Sequence, residues 1–224
     1  MWATVRADTH GRLAQRDWAW LGLSWQVHLT SPLPEQARAA LTDWFTQSRP
    51  AMVCRRGTGD APGIALCVTL PASRWLATIR FTVGRGAIAR VAHPAPLAEA
   101  IACSPPSWHR SLFDLARASA AAGVPLSVTG LLGWQHLTGE PYVTDRSPVD
   151  LLLRPHTRLQ LEQVIALLRA REDGKGPRLD GEVLLGWSDA VAWRDLARGR
   201  RRVLAKGMDR EAVVDVERLL SVLR

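Results

Sequence analysis

LSVTGLLGWQHLTGEPYVTDRSPVDLLLRP, residues 126–155, is the stretch on which the reading of this chain turns. Leu126 to Val128 predicts an apolar strand, with a glycine turn at Gly130. A short helical turn around Trp134 and Gln135 follows, then a polar loop from Thr138 to Ser147. Val149 to Leu153 predicts a second strand, almost wholly apolar, the pattern of a strand buried on both faces. Asp150, near its entry, breaks that pattern. A carboxylate is seldom buried without a base or a cation beside it, so Asp150 is the first candidate for chemistry.

The 224 residues suit one large domain or two small ones. An apolar fraction of 47% is enough for a true core. No apolar run approaches the roughly 18–20 residues of a membrane span, and the first residues lack an apolar stretch of signal-peptide type. Cys54, Cys67 and Cys103 are widely spaced, with no CxxC pair. That spacing argues against a disulfide framework or a zinc site and for reduced, cytoplasmic thiols. The net charge of +8 is almost all arginine, since Lys175 and Lys206 are the only lysines. Its dense cluster, Arg198, Arg200, Arg201 and Arg202, reads either as a solvated loop or as a surface for an anionic partner. No helix-turn-helix, RNP or zinc-finger pattern supports nucleic acid, whereas a phosphorylated nucleotide or an acidic carrier protein fits.

Upstream of the central stretch, residues 16–27 predict a strand or strand pair and residues 34–47 a helix behind two prolines. Residues 52–56, 64–70 and 74–83 predict strands, giving a small helix-on-sheet unit. Residues 94–106 carry four prolines and no periodicity, and predict a linker. Residues 108–122 predict a helix, capped by Ser107 and stopped by Gly123. Downstream, residues 156–171 form the clearest amphipathic pattern, with apolar Leu159, Leu161, Val164, Ile165 and Leu168 and Thr157 as cap. A turn over 173–177 and a strand over 178–185 follow. Residues 191–196 and 203–205 are shorter elements, and residues 209–223 predict a closing helix capped by Asp209.

Gly130 therefore stands between a strand and a helical turn, Asp150 on the next strand, and Asp180 on a later one. Two strand-borne carboxylates beside a glycine turn suggest a magnesium site. Magnesium takes oxygen ligands and is commonly held by one or two carboxylates plus substrate phosphates. The glycine lets backbone N–H groups approach phosphate oxygens. Asp180 has a plainer reading, as the first half of an Asp-Gly turn. Glu182 shares its strand face and is either a neighbour in the site or a surface acid. Lys206 reads as a phosphate contact or as a solvated strand-end lysine. Trp134 and Trp193 read as core, Cys54 and Cys67 as inert core thiols, and His136 as a surface residue.

Gly130, Trp134-Gln135, Leu137-Thr138-Gly139, Tyr142 and Val149-Asp150-Leu151-Leu152 resemble the core pattern of the phosphoribosyl-dephospho-CoA transferases, the malonate decarboxylase holo-acyl-carrier-protein synthases. The similarity continues through residues 179–183, 190–194 and 203–206 and back to Arg16-Asp17, residues 53–56 and 94–97. The resemblance implies an α+β fold: a nucleotidyltransferase-like mixed sheet with flanking helices over 107–224, and an accessory α+β domain over 1–93. It also implies an activity. A phosphoribosyl-dephospho-CoA group would pass from triphosphoribosyl-dephospho-CoA to a serine of the apo acyl-carrier subunit of malonate decarboxylase, with pyrophosphate leaving. Asp150 and Asp180 would be the catalytic and Mg2+-binding carboxylates, and Gly130 and Lys206 the substrate contacts.

Two positions depart from that pattern. The serine that follows the turn glycine in the family is Leu131 here, and the first aspartate of its Ser-Asp-x-Asp is Pro148. Leu131 offers no hydroxyl, and Pro148 removes both a carboxylate and a backbone donor. A second reading therefore stands beside the first: a protein of the same scaffold that binds the nucleotide or the carrier without transferring anything.

Overall fold

The computed structural model describes residues 13–71, 78–172, 176–186 and 189–224. The expected turn over 173–177 and the strand over 74–83 therefore lie partly outside the described residues. The chain divides into two compact units. One runs to His93 and includes Met208–Arg210; the other comprises Pro94–Gly207 and Glu211–Arg224. Both mix helices with a sheet, so the fold is α+β.

The first unit contains β1 (Trp18–Leu21), α1 (Glu35–Thr46), β2 (Ala51–Val53), β3 (Ile64–Thr69), β4 (Thr78–Val83) and β5 (Ile88–Ala92). The strands form an antiparallel sheet in the order β4-β3-β2-β1-β5. Helix α1 packs through aromatic contacts: Phe45 meets Phe81 at 6.1 Å and Trp25 at 5.2 Å between ring centroids. Sequence reading ends its second strand at residue 56, but β2 stops at Val53. It also passes over β5, whose Ala-Arg-Val-Ala run has no clean alternation. That strand is decided by pairing with β1. Cys54 and Cys67 are buried. Their mutual hydrogen bond and then burial hold the Cys67 thiol far above its usual range, as befits inert core thiols.

The second unit contains α2 (Leu97–Ala100), α3 (His109–Ala121), β6 (Ser127–Val128), α4 (Gly130–Thr138), β7 (Val149–Leu153) and α5 (Arg158–Arg169). After these come β8 (Leu179–Leu185), β9 (Asp189–Ala192), α6 (Trp193–Ala197), β10 (Arg202–Lys206), β11 (Glu211–Asp215) and α7 (Val216–Leu220). The sheet order is β11-β10-β9-β8-β7-β6, with β7 and β8 parallel and the other pairs antiparallel. One face carries Val149, Leu151 and Leu153 of β7 and Val183 and Leu185 of β8 into a core shared with Leu112, Leu132, Leu161, Val164, Leu168 and Trp193 of the helices. The other face buries a small cluster, Leu152, Leu184 and Ala190. This explains why β7 reads as apolar on both faces.

The structure departs from five of the sequence expectations. Residues 94–106 are not a free linker: Leu97 and Ala100 of α2 are fully buried in the core of the second unit, and Leu97 N–H donates to Leu126 C=O at 2.8 Å. Prolines 94 and 96 precede that helix rather than exclude it, since proline is tolerated ahead of a first turn. Residues 209–223 are not one helix. Glu211–Asp215 pairs residue for residue with β10, because the consecutive β-branched Val213 and Val214 favour an extended pleat with a partner available. Asp215, not Asp209, caps the short α7, its Oδ1 accepting from Glu217 N–H at 3.0 Å. Ser107 makes no cap; a 3-10 turn over Pro106–Trp108 leads into α3 instead. Thr157 does cap α5, in a reciprocal box with Gln160, while Leu159 of the expected apolar stripe is 63% exposed.

Replacing Leu97 by Ala should cost roughly 2–5 kcal/mol in a urea melt, the range for emptying a buried leucine site. A loss below about 0.5 kcal/mol, the ordinary size for an exposed position, would return α2 to the status of a linker.

Candidate active site

The site lies at the edge of the second sheet where β6 and β9 end and β7 and β8 begin. Asp150 pairs with Asp180 in register across the parallel β7–β8 ladder. In-register residues on neighbouring strands share a face, so the two carboxylates leave the sheet on the same side, with strands about 4.8 Å apart. The strand Leu179–Leu185 is continuous through Gly181, so Asp180 does not serve an Asp-Gly turn.

Gly130 begins α4 with φ +57°. A Cβ there would come within 2.7 Å of Asp150 Cγ and closer still to its carboxylate. Asp150 therefore rests on the bare Cα at the first turn of a nine-residue helix, where the unpaired N–H groups and the helix dipole favour negative charge. Thr129 N–H donates to the Asp150 C=O at 2.9 Å, tying the end of β6 to the start of β7.

The Trp-Gln and Leu-Thr-Gly residues build the support. Gln135 Oε1 accepts from Tyr142 N–H and Val143 N–H, both at 2.8 Å, and its Nε2 donates to Cys103 C=O. Trp134 is buried and stacks on Tyr142 with centroids 6.3 Å apart. Thr138 Oγ1 donates to Trp134 C=O at 2.8 Å. These bonds fold the 139–148 loop back on α4 and fix where β7 starts. His136 is half-buried rather than on the surface. Burial pushes its imidazole below the usual range, with the Glu99 carboxylate pulling the other way.

Two arginines offset the like charges. Arg178 donates to Asp180 Oδ2 at 2.9 Å, and Arg194 Nε lies 3.5 Å from Asp180 Oδ1. Arg194 is fixed in turn by Glu172 and by a bond to Leu179 C=O at 2.6 Å. Neither arginine stands out in the sequence as a site residue, although Arg194 lies in a segment that carries the family likeness. The missing signal was tertiary, because α5 and α6 bring Glu172 and Arg194 together. Lys206 joins Glu182 at 3.6 Å. Its Cα sits two strands across and several residues along from Asp180, on the order of 15 Å by strand geometry. The structure thus brings Gly130, Asp150 and Asp180 together, and places the Lys206 ammonium on Glu182, the next residue of β8 on the face that carries Asp180. Leu131 and Pro148 are both half-buried beside the site, and the loop acid Asp145 is exposed. Among the described residues no cluster of three or more His, Cys, Asp or Glu forms a metal cage, and no helix is long and apolar enough to cross a membrane.

A sheet edge with paired carboxylates beside a helix N-terminus is a common form for enzymes that act on phosphates, and comparison with known proteins makes the class definite. Residues 15–94 match the phosphoribosyl-dephospho-CoA transferase MdcG N-terminal domain, and residues 96–217 its C-terminal domain. A phosphoribosyl-dephospho-CoA transferase of Xanthomonas campestris pv. campestris is 35% identical over 82% of this chain and 89% of the relative. One of Bradyrhizobium diazoefficiens is 30% identical over 88% and 87%, and one of Pseudomonas aeruginosa 31% over 79% and 83%. No solved structure matches the chain with significance. The chain belongs to the phosphoribosyl-dephospho-CoA transferase family, a family of transferase enzymes.

The Gly130–Asp150 contact is open to a coupling test. Gly130→Ala should cost about 1–3 kcal/mol, from the left-handed backbone and the overlap. Adding Asp150→Ala should return part of that loss, with a coupling energy of about 0.5–3 kcal/mol in the double-mutant cycle. Strictly additive losses would mean that the two groups do not touch.

Proposed function

We propose that this protein transfers the phosphoribosyl-dephospho-CoA group from triphosphoribosyl-dephospho-CoA to a serine hydroxyl of the apo acyl-carrier subunit of malonate decarboxylase. The observation that carries the reading is the in-register pair Asp150–Asp180, with Asp150 seated on Gly130 at the start of α4. The serine oxygen attacks the phosphorus next to the ribose, a P–O bond forms to the carrier, the P–O bond to the leaving pyrophosphate breaks, and the hydroxyl proton passes to water. The second unit serves as the nucleotidyltransferase-like catalytic domain in this reading, and the first as the accessory domain.

Asp150 and Asp180 are the residues that would hold Mg2+. Their donor set fits one ion completed by substrate phosphate oxygens, the usual arrangement for magnesium. When bound, such an ion supplies charge neutralisation on the polyphosphate and acidifies the attacking hydroxyl. The chain's own residues do the rest. The bare Gly130 Cα and the first N–H groups of α4 admit phosphate oxygens at close range. Arg178 and Arg194 hold Asp180 in its rotamer and keep positive charge beside the transferred group. The Gln135 clamp keeps Asp150 from drifting. Positioning and electrostatics supply most of the acceleration in this type of chemistry.

Leu131 and Pro148 favour a second reading, a binder of nucleotide or carrier without transfer. Incubating the protein with the triphosphate precursor, magnesium and apo carrier, then weighing the carrier by mass spectrometry, separates the two. A gain equal to the prosthetic group is expected, and Asp150→Asn should slow it at least ~100-fold, the scale of a lost charge contact in phosphate chemistry. An unmodified carrier despite measurable nucleotide binding would sink the first reading. Changing Pro148→Asp together with Leu131→Ser should raise both magnesium affinity and turnover. If neither moves, the two departures are inert.

A further inference from the structure

The second unit holds two adjoining cavities that the carboxylate pair does not use. The first, ≈460 Å3, is lined by Arg169, Glu172, Trp193, Arg194, Ala197 and Arg198. The second, ≈290 Å3, is walled by Leu161, Ile165, Leu196, Val216 and Leu220, with Glu162 at its side. Arg169 and Ala197 line both, so the two form one groove along α5 and α6 with a basic end and an apolar end. Its size falls in the usual range for a small-molecule site.

The lining of the basic end carries three arginines and one acid, Glu172. Arg194 is engaged by Glu172 and Asp180. Arg198 lies 3.9 Å from Asp195 and is 61% exposed. Among the described residues Arg169 makes no ion pair. At the floor, the Trp193 indole nitrogen is buried without a hydrogen-bond partner. Arginines left with spare donors around a cavity are suited to phosphate oxygens, which accept two parallel N–H bonds from one guanidinium. Arg194 also reaches Asp180, so the basic end adjoins the carboxylate pair.

We propose that this groove binds the dephospho-CoA part of the substrate, with its diphosphate among Arg169, Arg194 and Arg198 and its pantetheine arm along Leu161, Ile165 and Leu220. This rests on the transfer reading above and adds the subsite that holds the part of the substrate remote from the reacting phosphorus. A group bound there is one guanidinium away from Asp180. The site thus separates two anionic segments of one ligand: one polyphosphate at the carboxylates, one diphosphate at the arginines.

Dephospho-CoA and ADP are the probes, titrated calorimetrically into the full chain. The wild-type protein should bind dephospho-CoA more tightly than ADP. Arg169→Gln with Arg198→Gln, both exposed and remote from the core, should weaken both ligands at least tenfold with an unchanged melting temperature. Ala166 also lines the apolar end, and Ala166→Phe, which fills it, should weaken dephospho-CoA and leave ADP as it was. No dephospho-CoA binding by the wild type, equal binding by the double arginine variant, or an Ala166→Phe effect of the same size on both ligands each overturns the proposal. The carrier assay keeps the two ideas apart. Arginine-dependent dephospho-CoA binding without any transfer leaves the groove standing and removes the transfer reading. Transfer whose KM for the precursor is unmoved in the double arginine variant does the reverse.

Discussion

Strand β8 lies in register beside β7 only because residue 181 has no side chain. Gly181 has φ +133°, and a Cβ on it would come within 2.6 Å of Leu151 N and closer to its carbonyl oxygen. Any other residue would push the strands apart or shift the pairing by a residue, and a one-residue slip turns every side chain to the opposite face. Asp180 would then point into the apolar helical side of the sheet, away from Asp150. The same glycine lets Val183 and Leu185 enter the core while Asp180 and Glu182 leave it. Core packing and the candidate chemistry therefore depend on one backbone contact.

The residues that carry the family likeness divide into two kinds of work. Gly130 and Asp150 meet at the candidate site, whereas Trp134, Gln135, Thr138 and Tyr142 hold a loop. Gln135 satisfies two backbone N–H groups and a carbonyl in a half-buried place, where unmade bonds would each cost about 1–3 kcal/mol. Such a clamp is needed because the loop between α4 and β7 has no regular structure to fix its end. The start of β7 is the point where a small slide would carry Asp150 off Gly130.

Charge is arranged with equal economy. Two carboxylates on adjacent strands repel one another, and Arg178 and Arg194 offset that repulsion at Asp180. Arg194 is pinned by Glu172 and Leu179, so its guanidinium is oriented before any ligand arrives. Preorganised donors cost no reordering when charge develops. The exposed Arg198, Arg200 and Arg201 are each within reach of Asp195 or Asp215, and exposed pairs of that kind contribute little to stability.

The sequence by itself determined the α+β class, the strand at Val149–Leu153, the amphipathic α5 with its Thr157 cap, and the order Gly130, Asp150, Asp180. Periodicity, capping chemistry and the misfit of one acid in an apolar run are local properties, and local patterns survive without knowledge of neighbours. Tertiary structure alone decided the remainder. Residues 97–100 became a helix docked on the core because Leu97 found a core to enter, and residues 211–215 became a strand because β10 offered an unpaired edge. The bridge from Asp180 through Arg194 to Glu172, and the contact of Lys206 with Glu182, depend on sheet order and helix packing. Contacts between residues far apart in the chain leave no periodic trace in it.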